Sequence, residues 1–174
     1  MNRNMTLMAI ILSCFFAGNA FCADWKFYGE FTRATDIKEV LFYDSSSVIS
    51  SNNSIKLWVK IAAYTDIEKC LESKSVLEKA SKKMSDGYKP PITEQFPKIT
   101  NAAYLEEAAN DSSVKSKAEI LYQVVCSENK FRKISGNAAD KYGVLNQPFG
   151  ISKWEEIAPD SNADNLAKIV CGSK

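Results

Sequence analysis

The sequence predicts an α+β domain: a meander of about five to six β-strands, a C-terminal helix packed on it and tethered by a disulfide, and a helical insertion. Three observations carry that reading. Apolar and polar residues alternate in several short segments, the repeat becomes helical between residues 66 and 85, and Cys126 and Cys171 end a strand and a terminal helix.

Residues 118–132, AEILYQVVCSENKFR, organise the rest. Ile120, Tyr122, Val124 and Cys126 share one face and Leu121, Gln123 and Val125 the other, before a polar turn opens a second strand at Lys130. In an oxidising compartment a cysteine facing a sheet core wants a partner, and Cys171 is the obvious one. A bridge closing a loop of about 45 residues restrains the unfolded chain by roughly 4 kcal/mol.

The N-terminus supplies that compartment. Arg3, an apolar run over residues 7–17 and the small Gly18 and Ala20 follow the order of a secretory signal peptide. The run is shorter than the about 20 residues a bilayer span needs. Cleavage after Ala20 and cleavage after Cys22 both fit. Of the two possible lipid-anchor cysteines, Cys22 follows Asn19-Ala20-Phe21, a poor match, and Cys14 follows Ile11-Leu12-Ser13, a partial one. The expected division is therefore a signal peptide over 1–22 and one domain over 23–174, exported to the periplasm, outer membrane or cell surface.

Composition narrows the function classes. The 22 Lys and Arg residues balance 21 Asp and Glu, so no global field favours nucleic acid or an anionic membrane. There are 0 histidines, which removes the commonest general base and metal ligand; no cofactor or metal is expected. Cys70 reads as a half-buried apolar helix residue, with Cys22 a partner only if cleavage spares it.

In chain order, DWKFYGEF places Trp25, Phe27 and Phe31 on one strand face, with Gly29 a bulge or a close approach. VLFYD (residues 40–44) is a second strand closing in Asp44-Ser45-Ser46-Ser47, whose side chains cap turns. After a polar link over residues 50–54 comes the best strand, SIKLWVKIAAY (residues 54–64), with Ile55, Leu57, Val59, Ile61 and Ala63 on one face and Lys56, Trp58, Lys60 and Tyr64 on the other. A tryptophan between two lysines is either covered by another element or exposed to bind something. Residues 66–85 form a helix with Ile67, Cys70, Leu71, Leu77, Ala80 and Met84 in its apolar stripe, stopped by Gly87 and Lys89-Pro90-Pro91. A second short helix covers residues 101–109, after a loop carrying Pro97, so 66–110 reads as a helical insertion. Trp154 and Ile157 mark a short last strand that Pro159 stops. Ser161 then caps a helix whose Ala163, Leu166, Ala167 and Val170 lie on one face, ending at Gly172. That helix is expected to cover Trp58.

The ordered set Ala23-Asp24-Trp25, FYDSSSV (42–48), LWVK (57–60), VVCSENKFR (124–132), WEEIAPDS (154–161) and LAKIVC (166–171) resembles the surface-adhesin protein E-like domain of bacterial envelope proteins. The resemblance implies an antiparallel sheet with a C-terminal helix tethered by the Cys126–Cys171 bridge, a surface or periplasmic location and, for the member that names the family, attachment to host proteins. The 66–110 insertion is longer than the family leads one to expect, and the matching motifs look structural, so adhesion does not transfer with the fold.

The leading functional expectation is a non-catalytic binding module for an extracellular protein or glycan. Its candidate patch is Lys115, Lys117, Lys130, Arg132, Lys133 and Lys141 around the hairpin, with Trp58. Lysines also protect sheet edges without binding anything. The alternative is a structural periplasmic protein that self-associates through its sheet, for example as a homodimer. An enzyme is not expected: Ser112/Lys115 and Ser127/Lys130 match a Ser-x-x-Lys spacing without companion motifs, and Glu106-Glu107 and Glu155-Glu156 are only neighbours in sequence.

Overall fold

The alternating segments pair as the periodicity requires. The computed structural model describes residues 23–33, 37–87 and 102–172; the leader, Cys14, Cys22, the Pro90-Pro91 stop and the Pro97 loop lie outside them. In order the elements are β1 (Trp25–Thr32), β2 (Lys38–Asp44), a single 3-10 turn (Ser45–Ser47), β3 (Ile49–Ser51), β4 (Ser54–Ala63), α1 (Tyr64–Leu71), α2 (Lys74–Ser85), α3 (Ala102–Ala109), β5 (Ser116–Val125), β6 (Lys130–Ala139), β7 (Leu145–Phe149), β8 (Glu155–Glu156) and α4 (Asn162–Cys171). All pairings are antiparallel, in the order β1-β2-β4-β5-β6-β7; β3 extends β2's edge of β4, and β8 shares β7's edge of β6.

Each sheet face carries its own core. On one, α1, α2 and α3 cover Phe27, Val40, Phe42 and Ala62 through Ile67, Val76, Leu105 and Ala108. On the other, α4 lays Leu166 and Ala167 over Tyr28, Leu41, Leu57, Val59 and Val124. The described helices of the 66–110 segment thus build one of the two hydrophobic cores. β4 records the arrangement: Ile55 and Leu57 are buried while Lys56 is exposed, but Val59, Lys60, Ala62 and Ala63 are all buried. Alternation stops where helices cover both faces.

Three local expectations shift, each for a physical reason. Gly29 is a bulge, with the register slipping between Phe27 and Gly29, and the extra residue reverses the parity beyond it. Phe31 therefore packs with Tyr28 in the α4 core, not with Phe27. The helix expected over 66–85 breaks at Glu72 and Ser73, which rotates the second half. Val76 turns inward and Leu77 and Met84 turn out, at 41% and 42% exposed. Trp58 lies on the α1–α3 side of the sheet, since its strand neighbours Leu57 and Val59 face α4; the terminal helix does not cover it.

The terminal helix otherwise forms as its residues dictate. The Ser161 hydroxyl accepts from the Asp164 N–H at 3.1 Å, and Gly172 leaves the helix with φ +76°. Its last residue, Cys171, is bonded to Cys126 with a Cα–Cα distance of 5.9 Å. Gly29 also lets the helix dock. A Cβ there would overlap Asn162 Oδ1, and the Asn162 amide instead donates to the Glu30 carbonyl at 3.2 Å.

Candidate functional site

Helices α1–α3 cover only the β1, β2 and C-terminal β4 part of their face. Beyond them the register places Trp58 of β4 opposite Leu121 of β5, and Lys56 opposite Gln123, which faces Arg132 of β6. These side chains form an oblique strip. Trp58 and Leu121 are half-buried and belong to neither core.

The strip is held by hydrogen bonds that its sequence spacing permits. Arg132 donates from Nε and Nη2 to Gln123 Oε1 at 2.9 and 2.8 Å, and Gln123 Nε2 donates to Ser54 Oγ at 3.0 Å. With both donors on one oxygen, the guanidinium is fixed in plane. It stacks under Trp154, its central carbon 4.3 Å from the ring centroid, while Trp154 remains 41% exposed. A fixed cation on an aromatic plane, with a second tryptophan nearby, suits a ligand that combines flat apolar surface with acceptor oxygens.

The other patch residues do not join it. Lys130 lies on the same face at the end of the hairpin, 3.5 Å from Glu128 Oε2. Lys133 pairs with Tyr122 and so points to the α4 side. Lys115, Lys117 and Lys141 are exposed near the opposite end of the β5–β6 pair, about 25 Å along the strands from Lys130. The patch resolves into one ordered group containing Trp58 and Arg132, and scattered lysines. Trp154, Gln123 and Lys56 are the partners that the linear reading passed over; Trp154 between Lys153 and Glu155 carried the same signal as Trp58 between lysines.

The remaining polar groups that drew notice have structural tasks. Glu106 is fully buried, accepts from the Phe27 N–H at 3.3 Å and pairs with Lys83 at 3.3 Å; Lys83 also reaches Glu107 at 3.3 Å. Lys60 donates from Nζ to the carbonyls of Ala109 and Val114 at 2.8 and 3.3 Å, closing the end of α3. Burial lowers its pKa, with Glu119, Cys70 and Asp111 pulling the other way. Cys70 is a free thiol, buried and not half-buried, accepting from Ser113 Oγ at 3.6 Å. Ser112 and Ser127 are exposed, and Glu155 and Glu156 sit on opposite faces of β8. Among the described residues no group of three or more His, Cys, Asp or Glu side chains could hold a metal ion, and no helix is long and apolar enough to cross a membrane. No protein-family model, curated protein or solved structure matches the chain.

Proposed function

We propose that this chain is an exported, non-catalytic binding module that holds an extracellular protein or glycan on the Trp58–Arg132–Trp154 strip. The observation that carries the reading is the fixed Arg132 guanidinium stacked on a part-exposed tryptophan, on a stretch of that sheet face outside the core that the described helices cover. Support for export comes from the leader-like N-terminus and from a disulfide, a bond that persists in oxidising compartments. The resemblance to surface-adhesin protein E-like domains, which does not carry adhesion over with the fold, supports host or matrix proteins only as the first partners to try.

The test is a binding panel of matrix proteins and glycans against the mature protein, Trp58→Ala, Arg132→Ala and a Lys115→Ala/Lys117→Ala/Lys141→Ala control. Loss of a central aromatic or Arg anchor weakens binding about 30-fold. The control should bind as the wild type does. Full binding by both strip variants, or no binding partner in the panel, ends the proposal.

A further inference from the structure

On the other face of the sheet, α4 does not meet the strands along its whole length. A cavity of about 250 Å³ lies beneath its first turns, with Tyr28, Phe31, Leu41, Tyr122, Phe131 and Leu166 among its walls. No charged side chain lines it; its polar groups are the Tyr28 and Tyr122 hydroxyls and the Asn162 amide, already engaged with Glu30. Among the described residues neither hydroxyl makes a hydrogen bond, although Tyr28 is only 4% exposed. Neither hydroxyl is among the sealed, unpartnered polar atoms, so both are accessible, and two unpaired donors on side chains that border one apolar space can serve an acceptor placed within it. Water can meet the two hydroxyls, but the rest of the wall is hydrocarbon, and a ligand that brings one acceptor on an apolar body fits both parts of it.

We propose that this cavity is a binding pocket for a small neutral molecule: a ring system of about ten non-hydrogen atoms carrying one oxygen acceptor. The size follows by proportion from benzene, which fills an apolar cavity of about 150 Å³. Neutrality follows from the uncharged walls, and the acceptor from the phenols. Both phenols stay protonated: burial, with Tyr122 beside it, holds the Tyr28 pKa well above the ordinary value, and burial, then Glu155, pushes Tyr122 up to about 12. The pocket is independent of the Trp58–Arg132 strip on the opposite face.

Indan-1-one and its hydrocarbon indane, titrated into the mature protein by calorimetry, separate the parts of the proposal. The ketone should bind more tightly than the hydrocarbon. Tyr28→Phe should weaken the ketone about fivefold, the worth of one hydrogen bond, and leave indane unchanged. Ala163→Leu and Ile61→Phe each fill the space, so whichever folds should bind neither probe. No binding of either probe at about 1 mM, or wild-type binding by a folded filled variant, overturns the pocket. Equal ketone affinity in Tyr28→Phe and the wild type overturns the role of the hydroxyl.

Discussion

Replacing Cys126 and Cys171 together by alanine should destabilise the protein by about 4 to 5 kcal/mol. The bond closes a loop with a sequence separation of 45. Loop closure of that length removes about 13 cal/mol/K from the unfolded chain, or roughly 4 kcal/mol at room temperature. Both cysteines pack against the α4 core, so trimming the sulfur atoms adds up to about 1 kcal/mol. A domain of this size holds a total of about 5 to 15 kcal/mol, so the fold survives weakened. Its melting temperature should fall by roughly 8 to 20 °C. Urea unfolding of the double variant is the assay, with the wild type measured with and without reductant to isolate the bond from the packing. The slope against urea should rise as well, since the open chain exposes more surface. A loss under about 1 kcal/mol with an unchanged slope would refute the loop-closure reasoning.

The glycines make a contrasting pair. Gly29→Ala displaces only the Asn162 side chain and should cost about 1 kcal/mol, with little further loss in Gly29→Ala/Asn162→Ala relative to Asn162→Ala alone. Gly136→Ala puts a Cβ 2.8 Å from Ile120 Cα, where only backbone can yield, and should cost about 3 kcal/mol in the same melts. Acid should loosen the fold through three aspartates held low: Asp111 by the Ser113 N–H, Asp140 by the Val144 N–H and Asp164 by Lys168. Their folded values lie below 3.8, so the unfolded chain binds more protons and this stabilisation, complete above 3.8, is lost as pH falls through the folded values. Asp140→Asn should flatten that limb of a stability–pH curve. The Cys70 thiol should react with an alkylating reagent only at the rate of unfolding, read by peptide mass; rapid labelling in the native state contradicts its burial.

What local periodicity encodes could be read from the chain, and what depends on packing could not. β4 and β5 declare themselves because apolar residues recur at every second position of their sequence, even where burial itself stops alternating, and Ser161 declares the α4 terminus because capping is a contact within one turn. β3 and β7 escaped, the first being three exposed residues and the second a short edge strand holding Pro148. Asn52 and Asn53, both with positive φ, form the two-residue turn of the β3–β4 hairpin, a signal that was present in a link read only as polar. Gly29 reads from the sequence as a bulge or a close approach, but the change of parity that the bulge imposes on Phe31 shows only once the partner strand is in place. Basic residues near the hairpin were visible as charges. Which of them acts as a group depends on Gln123 and Trp154 converging on Arg132 from a neighbouring strand and a later segment.

The position of α4 after every strand has a consequence for biogenesis. During synthesis the sheet emerges first, with Leu57, Val59 and Val124 bare on one side and Cys126 unjoined, until the final segment arrives to shield them. Ribosome stalling or proteolytic nicking ahead of Asn162 would strand a sticky, thiol-bearing half-product, the kind of species that holding chaperones and oxidoreductases intercept.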